Sequence, residues 1–364
     1  MPKVIVGMSG GVDSSVTAHL LKQAGMEVEG LSFILWEARN RDNFTTCCSL
    51  DAVNGASRTA EVMGIKHSAV DVRDEFIEKV IEPFVEAYTK GFTPNPCILC
   101  NKYIKFPFLL KEAEKRGAEY IATGHYAIVE RSRQLSAVSY QHGREKIFLK
   151  KGIDPKKDQS YVLYVLKQTE LNRLLLPLGE YKKEDVRGIA RKLRLDAAER
   201  PESQEICFIE DKNYFKFIEK LSPIAGKPGP VIDKQGKVLG THRGVYCYTI
   251  GQRKGLGISS PEPYYVIKID ILNNTIYVGS QKDAKIGEIF VDDLNWIINP
   301  ESNLFKATVK VRSMMQDKPA SVEIMNHKVR VVFDEPQWAP APGQSAVFYD
   351  GDKVIGGGII GNMN

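Results

Sequence analysis

The chain has 364 residues, of which 43% are hydrophobic and 26% are charged, and this composition excludes disorder as the default state. Its 50 lysines and arginines exceed its 45 aspartates and glutamates by too little to establish a nucleic-acid ligand, although local basic patches could still bind one. The length is sufficient for two or three domains, each with its own core.

We do not expect the first residues, MPKVIVGMSGG, to act as a secretory signal peptide, because glycines interrupt their apolar run. No apolar run approaches the roughly 20 residues that are needed to span a bilayer. We therefore expect a cytoplasmic protein without a membrane partner. In that compartment the cysteines should be reduced, which favours metal-binding or catalytic roles over disulfide scaffolding. The six cysteines are Cys47, Cys48, Cys97, Cys100, Cys207 and Cys247.

Short apolar runs alternate with helical patterns up to about residue 200. Buried strands are predicted at 3–8, 27–35, 66–72 and 118–126, and helices at 14–25, 50–64, 73–91 and 103–117. This alternation predicts an α/β fold with a doubly wound parallel sheet, whose ligands bind at the carboxyl ends of the strands. We assign residues 1–205 to this domain.

The pattern changes after about residue 205. The segment 222–240 is rich in proline and glycine and contains a DKQGK turn, and a strand is predicted at 263–271. From about residue 285 strands alternate with turns, and Asp350-Gly351 marks a hairpin. We predict a small middle β domain at 206–283 and a C-terminal β barrel at 284–364.

The stretch GMSGGVDSS (7–15) follows the first predicted strand and opens the first predicted helix. Its glycines let the backbone approach an anion, its serines supply hydroxyls, and a helix N-terminus favours negative charge. It is neither a Walker A loop nor a dinucleotide-binding loop, because both of those glycine spacings are absent. A glycine-rich turn can also be a simple tight connection, but the embedded Asp13 and the strand–loop–helix context favour a phosphate site.

This loop resembles the pyrophosphate loop of the ATP-pyrophosphatases, which cleave ATP between the α and β phosphates and adenylate a substrate oxygen. The resemblance implies a HUP-like catalytic domain in which Asp13 positions Mg²⁺ and the leaving pyrophosphate. It leaves open a ligase that adenylates a small amide or acid.

Two thiols lie three residues apart in NPCILCN (95–101), and such a pair can close a disulfide, hold a metal or carry sulfur chemistry. A third thiol, Cys207, lies between Ile206 and Phe208 in ESQEICFI (202–209), where it could equally fill the core. The local sequence does not decide between these roles.

Together with the phosphate loop, these motifs make the chain similar to the tRNA-specific 2-thiouridylases over its whole length. The matching segments are TPNPCILCNKYIKF (93–106), ATGHY (122–126), KKDQSYVLY (156–164), SQEICFI (203–209), YTIGQRKGLGI (248–258) and PGQSAVFYDGDKVIGGGII (342–360). The resemblance implies a PRC-barrel-like middle domain and a tRNA-binding C-terminal barrel. It further implies ATP-dependent replacement of the wobble uridine O2 by sulfur in tRNAs for Lys, Glu and Gln. The partners would be the anticodon stem-loop of tRNA and a sulfur-donor protein, either a persulfide relay or a desulfurase.

The resemblance also implies roles for single residues. In the family's persulfide scheme, Cys207 carries the transferred sulfur and Cys100 assists its release or closes a transient disulfide with it. ATP is expected to contact Gly7, Met8, Ser9, Gly10, Gly11, Val12, Asp13, Ser14, Phe33 and Gly124. At Phe33 the family usually has methionine. The target base and the tRNA are expected to contact Asn95, Pro96, Cys97, Lys157, Asp158, Gln159, Arg312 and Ser313.

One departure concerns Cys97, because the better-known family pattern is NPDxxC with an aspartate at this position. Cys97, Cys100 and Cys207 together provide three thiols, which suits a 4Fe–4S cluster with one open iron that could hold incoming sulfide. Zinc is disfavoured, because no second CxxC or histidine pair completes a tetrahedral site. The persulfide and cluster schemes both stay open. We expect Cys47 and Cys48 to be structural or incidental.

Overall fold

A computed structural model describes residues 1–36, 50–132, 146–195, 198, 206–209, 213–222 and 226–362 of the chain. Cys47 and Cys48 lie outside the described residues. The α-helices of the described residues are α1 (Val12–Gln23), α2 (Leu50–Met63), α3 (Arg73–Phe76), α4 (Glu82–Thr89), α5 (Pro96–Cys100), α6 (Phe106–Lys115), α7 (Ser160–Leu163), α8 (Gln168–Arg173), α9 (Lys183–Lys192) and α10 (Tyr214–Leu221).

The strands fall into a parallel sheet, a middle sheet and a barrel. They are β1 (Lys3–Gly7), β2 (Glu27–Ile34), β3 (Lys66–Asp71), β4 (Tyr120–Ala122), β5 (Ala127–Ser132), β6 (Lys146–Lys151), β7 (Leu174–Leu175), β8 (Gly229–Ile232), β9 (Val238–His242), β10 (Tyr265–Asp270), β11 (Thr275–Gly279), β12 (Lys285–Trp296), β13 (Leu304–Lys310), β14 (Lys318–Met325), β15 (Lys328–Trp338), β16 (Ser345–Asp350) and β17 (Lys353–Ile360).

The first sheet has the order β3-β2-β1-β4-β7, and all its neighbouring strands are parallel. Val4 and Val6 of β1 pack in a cluster with α1 and α2, whereas Ile5 packs in a cluster with α6 on the opposite face. The central strand is therefore buried on both sides, as a doubly wound sheet requires. The predicted fold class is confirmed.

The strand order reverses between β1 and β4, because β2 and β3 follow on one side of β1 while β4 lies on the other. In sheets of this type the carboxyl ends of the strands on either side of such a switch point form the ligand crevice. The loop after β1 and the residues after β4 meet there.

The helix predicted at 103–117 begins earlier than expected. Helical structure runs through α5, a π-helical turn at Asn101–Lys105 and α6. The side chain of Asn95 accepts a hydrogen bond of 3.1 Å from the backbone N–H of Cys97, and Pro96 occupies the first helical position. Both features favour a helix start, so the two thiols of NPCILCN lie within the first helical turns.

The strand predicted at 118–126 is wrong at its C-terminal end, because β4 ends at Ala122 and the chain then leaves the parallel sheet. β5 pairs in antiparallel fashion with β6, and β6 pairs with β17 of the C-terminal sheet, where Lys150 lies opposite Lys353. A hairpin from the first half of the chain therefore extends the C-terminal sheet.

The middle sheet has the order β10-β11-β8-β9. The predicted DKQGK turn joins β8 to β9, and the Asp233 carboxylate closes it by accepting hydrogen bonds from the backbone N–H groups of Gln235 and Lys237. The C-terminal sheet runs β12-β15-β14-β13-β16-β17, and β17 pairs with β12, which closes a barrel of six strands. The predicted hairpin joins β16 to β17, with Gly351 at φ 60°.

Candidate functional site

A cavity of about 200 Å³ lies at the switch point of the parallel sheet. It is bordered by the loop after β1, the end of β2, the start of α2, the residues after β4 and Gln159. The lining residues are Gly7, Met8, Ser9, Asp13, Ser14, Ser32, Phe33, Leu35, Ala52, Val53, Lys105, Leu109, Thr123, Gly124, His125 and Gln159.

The loop after β1 is shaped by its glycines and serines. Gly10 has φ +72°, and a Cβ at this position would lie 2.4 Å from the carbonyl oxygen of Ala52, so no other residue fits without displacement. The Ser14 hydroxyl accepts from the backbone N–H of Ser9 at 3.2 Å. The residues that line the cavity do not include Gly10, Gly11 or Val12, which were also expected to contact ATP.

Gly124 brings the end of β4 against this loop. A Cβ on Gly124 would lie 2.8 Å from the backbone carbon of Asp13 and from the backbone nitrogen of Ser14. A side chain here would push the two walls of the cavity apart. The sequence-predicted Gly124 and Phe33 both line the cavity, and the Phe33 ring packs edge-on against Phe108 at 6.5 Å between centroids.

Asp13 is the acidic residue in the first turn of α1, directly after the loop, and its carboxylate is held by two other side chains. Lys183 Nζ lies 2.6 Å from Oδ1 and 2.8 Å from Oδ2 of Asp13. The Tyr126 hydroxyl donates to Oδ1 at 2.7 Å. Sequence reasoning missed Lys183, because a lysine in a charged helix 170 residues away carries no local signal. Tyr126 was present in the ATGHY motif, but its role was not recognised.

The opposite wall carries a histidine and a lysine. Burial, with a smaller contribution from the positive charge of Lys105, lowers the pKa of His125 to about 3, so its imidazole is neutral at physiological pH. His125 Nδ1 lies 2.8 Å from the Thr123 hydroxyl, and its ring stacks on Phe106 at 5.9 Å between centroids. Lys105 is thus a cation facing the cavity beside an uncharged histidine.

The three thiols differ in environment. Cys97 is exposed, Cys100 is 4% exposed, and Cys207 is partly buried. Cys100 belongs to a hydrophobic cluster against which Cys207 also packs, and none of the three forms a disulfide. Throughout the described ranges, no three histidine, cysteine, aspartate or glutamate side chains are grouped to hold a metal ion. The structure therefore places Cys100 and Cys207 in one cluster without a preassembled ligand set.

Phe208 fixes the segment that carries Cys207. Its ring is 2% exposed and packs edge-on against Phe76 at 5.7 Å and Phe84 at 5.4 Å. Such aromatic contacts contribute beyond simple burial. Through these contacts of Phe208, the segment that contains Cys207 packs against the helices α3 and α4.

The three residues Lys157, Asp158 and Gln159, which are predicted to contact tRNA, lie in three different environments. The Asp158 side chain is only 5% exposed, accepts from the Ser160 backbone and hydroxyl, and pairs with Lys310 of the barrel at 3.6 Å. Gln159 lines the cavity, and its Oε1 accepts from the backbone N–H of Tyr126 at 3.0 Å. Lys157 is partly exposed. Contact of these residues with tRNA stays a prediction.

Arg312, also predicted to contact tRNA, joins the middle domain to the barrel. Its Nη2 donates to the carbonyl oxygens of Ile250 at 2.8 Å and Ala339 at 2.7 Å. Burial lowers the pKa of its guanidinium. Ser313 follows in a partly exposed turn. These bonds give Arg312 a structural role within the protein. Contact of Arg312 and Ser313 with tRNA stays a prediction.

Family models match the chain in three successive parts. The tRNA methyl transferase HUP domain matches residues 2–211, the tRNA methyl transferase PRC-barrel domain matches 216–280, and the aminomethyltransferase beta-barrel domain matches 286–360. Their order agrees with the parallel sheet, the middle sheet and the barrel. Among the described residues, no helix combines the length and apolar composition that crossing a membrane requires.

Several curated proteins are similar over nearly the full length. The tRNA-specific 2-thiouridylase MnmA 1 of Caldanaerobacter subterraneus subsp. tengcongensis is 47% identical, with 98% of this chain and 97% of the relative covered. MnmA of Carboxydothermus hydrogenoformans is 47% identical with the same coverage, and MnmA of Acetivibrio thermocellus is 44% identical over 98% of this chain and 99% of its own. A solved 4-thiouridine synthetase–RNA complex with bound ATP has a TM-score of 0.36 and 16% identity, covering 61% of this chain and 50% of that one.

Proposed function

Because this chain belongs to the tRNA-specific 2-thiouridylase family, we propose that its cavity binds ATP to activate the wobble uridine of tRNA for Lys, Glu and Gln. The enzyme is a tRNA-uridine 2-sulfurtransferase. The observation that carries the site assignment is the cavity at the switch point, which is lined by the phosphate loop, Asp13 and Lys105. A loop of this kind suits the phosphates of ATP, because its backbone N–H groups and the following helix N-terminus favour negative charge.

The first step makes a leaving group. The uridine O2 attacks the α-phosphorus of ATP, the bond from that phosphorus to the bridging oxygen breaks, and pyrophosphate departs. A carbonyl oxygen leaves poorly, whereas the same oxygen leaves readily as part of AMP. In this proposal the phosphate loop holds the departing phosphates, and Lys105 adds positive charge beside them.

Mg²⁺ belongs to the proposal because of Asp13. Proteins usually hold magnesium through one or two carboxylates, with phosphate oxygens and waters completing the shell. The Asp13 side chain is 35% exposed at the cavity, so a single carboxylate beside the bound phosphates fits this arrangement. When bound, Mg²⁺ would neutralise charge on the leaving pyrophosphate.

The second step delivers sulfur. A persulfide on Cys207 attacks C2 of the adenylated uridine, and AMP leaves with the former O2. The Cys100 thiolate then attacks the Cys207 sulfur and breaks the sulfur–sulfur bond, which releases 2-thiouridine and leaves a Cys100–Cys207 disulfide. A dithiol reductant must reopen that disulfide before the next cycle. Cys100 lies in the hydrophobic cluster against which Cys207 packs, so the two thiols belong to the same region of the fold.

A 4Fe–4S cluster does not fit the observed arrangement of the thiols. Cys97 is exposed while Cys100 is buried, and the described residues contain no group of three metal-ligating side chains.

The substrate surface is proposed to combine Asn95, Pro96 and Cys97 at the start of α5 with Lys157 and the barrel. The target uridine must be splayed out of the anticodon loop, which single-stranded RNA permits at a cost of a few kcal/mol.

The sulfur donor is proposed to be a persulfide-carrying protein, and the reaction is proposed to take place in the cytoplasm. The three domains are proposed to meet at about residues 205 and 284.

Adenylation of a small amide or acid is not favoured. The relatives that carry the 2-thiouridylase name match both the parallel-sheet region and the barrel, over 98% of this chain. A small-molecule ligase would have no evident use for the cysteine pair.

The proposal is tested by incubating the protein with ATP, unmodified tRNA and a persulfide donor, then measuring nucleosides by mass spectrometry and AMP by chromatography. We expect 2-thiouridine and AMP in equal amounts. The Asp13→Asn variant should form neither while melting at the wild-type temperature within a few degrees. Normal AMP release by that variant with tRNA present would show that the phosphate-loop assignment is wrong.

A further inference from the structure

Asp13 presents an electrostatic conflict within the proposed ATP site. Its carboxylate lines a cavity whose loop and helix N-terminus are suited to phosphate, so two negative groups would meet there. Repulsion between like charges strengthens as solvent is excluded, because the effective dielectric constant falls. An unpaired carboxylate at this position would oppose the binding of ATP.

The positive charge of Lys183 offsets the negative charge of Asp13 from the side of the carboxylate that faces away from the cavity. Its ammonium bonds to both oxygens of Asp13, and its side chain is 11% exposed against 35% for Asp13. Lys183 is not among the residues that line the cavity. The Tyr126 hydroxyl bonds to the same carboxylate, and its ring lies 5.5 Å from the ammonium. The lysine therefore acts on the cavity through Asp13.

The position of Lys183 is fixed by its surroundings. It is the first residue of α9, and its backbone N–H donates to the Asp154 carboxylate at 3.1 Å. α9 packs against α1 through a buried cluster that includes Val16 of α1 and Val186 and Ala190 of α9. The helix that carries Asp13 and the helix that carries Lys183 are thus one packed unit.

We propose that Lys183 is a positioning residue of the nucleotide site, which cancels the charge of Asp13 and holds its carboxylate towards the cavity so that the phosphates of ATP can enter. This inference rests on the proposed function of the cavity as an ATP site. A purely structural ion pair would instead stabilise the packing of α9 on α1 without changing the affinity for ATP.

The test is a double-mutant cycle on ATP binding. The dissociation constant of labelled ATP is measured by equilibrium dialysis without tRNA and with EDTA, for the wild type, Lys183→Met, Asp13→Asn and the double variant. We expect Lys183→Met to weaken binding about tenfold or more, because it leaves an uncompensated carboxylate. The double variant should stay within about threefold of the wild type, because it keeps neither charge of the pair. Asp13→Asn leaves the Lys183 ammonium without its carboxylate, and this positive charge should keep ATP binding at least as tight as in the wild type.

Two further variants test whether the effect depends on the position and the charge of Lys183. Lys182→Met removes the same charge from the exposed neighbouring lysine and should leave ATP binding unchanged, whereas Lys183→Arg should restore most of the affinity. In assays with tRNA, Lys183→Met should raise KM for ATP more than it lowers kcat. Circular dichroism and melting temperatures establish that each variant is folded.

The inference is overturned if folded Lys183→Met binds ATP as the wild type does, if the double variant binds as weakly as Lys183→Met, or if Lys182→Met has the same effect. These outcomes are distinct from failure of the proposed function. If the wild-type protein itself neither bound ATP nor formed 2-thiouridine, the site assignment would fail before Lys183 was considered.

Discussion

Cys100 and Cys207 reach the same hydrophobic cluster from distant parts of the chain, one buried at the end of α5 and the other partly exposed beside the anchored Phe208. Buried thiols are poor nucleophiles unless a neighbouring group favours the thiolate, whereas an accessible thiol can receive sulfur from a donor. The greater exposure of Cys207 therefore supports its proposed role as the thiol that receives sulfur from the donor.

Replacing either Cys100 or Cys207 by alanine should abolish thiolation, since each is required for a separate part of sulfur transfer. AMP formation should continue, because adenylation uses the phosphate loop. Parallel assays of thiouridine and AMP test this expectation. Cys247→Ala provides the matched control, because burial raises the pKa of that thiol and disfavours its thiolate. Thiolation by Cys207→Ala at the wild-type rate would refute the assignment.

Cys97 distinguishes the persulfide scheme from the cluster scheme. It is exposed and its backbone N–H bonds to Asn95, so an aspartate can replace it without disturbing the core. We expect Cys97→Asp to keep most of the activity, and the wild-type protein purified without oxygen to thiolate tRNA in the absence of iron. Iron and acid-labile sulfide analysis provides the measurement. About four irons per chain, with thiolation lost on chelation, would contradict the persulfide scheme.

His125 should make the protein sensitive to acid. Its pKa of about 3 in the folded state lies below its ordinary value of 6.5, so only the unfolded state gains a proton as the pH falls below 6.5. Stability should therefore decrease from pH 6.5 towards pH 5 by about 2 kcal/mol from this group. His125→Asn should show a shallower decline in denaturant titrations, and the exposed His327→Asn should not. Equal slopes for His125→Asn and the wild type would contradict the assignment.

At the scale of elements, the phosphate loop was predictable because its function lies in contiguous residues. Glycines and serines between a strand and a helix are visible in the sequence, and Gly7, Ser9, Asp13 and Ser14 all line the cavity. Lys183 was not predictable, since its role depends on the packing of α9 against α1. Likewise, the local sequence does not indicate that Asp158 is buried, but its pairing with the barrel lysine Lys310 places it inside the molecule.

The boundaries of elements were less predictable than their existence. β4 ends at Ala122, where Gly124 must pass close to the phosphate loop, and that requirement arises from a contact distant in sequence. The early start of the helix at Pro96 was signalled locally by Asn95, an effective N-cap residue. The π-helical turns at Ile77–Ile81 and Asn101–Lys105, by contrast, have no recognised pattern in the sequence.

Gly10 provides a test of the loop as an element. Gly10→Ala combines a left-handed φ with a Cβ only 2.4 Å from a backbone oxygen, so it should displace the loop from α2 and weaken ATP binding about tenfold or more. Gly25→Ala is the matched control, because Gly25 has φ +81° but open space around its Cβ. That control should lose about 1–2 kcal/mol of stability and keep its affinity for ATP. Similar ATP affinities for both variants would refute the steric argument.

At the scale of the whole molecule, the parallel sheet and the barrel share one hydrophobic cluster. Tyr161 and Tyr164 of the first half are fully buried beside Val347 and Tyr349 of the barrel, and the Tyr161 hydroxyl donates to the Ser345 carbonyl oxygen at 2.8 Å. Domain order was visible in the sequence, but this shared core was not, because the hydrophobic pattern of a strand does not identify its partner. The proposed tRNA surface therefore lies on two domains that are held together by this shared core.

Binding of tRNA should weaken steeply with salt, because phosphate contacts by lysine and arginine release counterions. We expect the logarithm of the association constant to fall linearly with the logarithm of salt concentration, with a slope of about −0.7 to −0.9 for each phosphate contact. Filter binding or fluorescence anisotropy measures the slope. A salt-independent affinity for tRNA would contradict an electrostatic surface.

The hairpin of β5 and β6 also has a mechanical consequence. It leaves the parallel sheet next to the phosphate loop and attaches to the last strand of the barrel, where Lys151 N–H donates to the Asp352 carbonyl oxygen at 2.9 Å. If the two ends of the chain were pulled apart, the last strand could not detach without also stripping this hairpin. Detachment of that strand under force should therefore include rupture of the junction between the barrel and the hairpin that begins beside the nucleotide cavity.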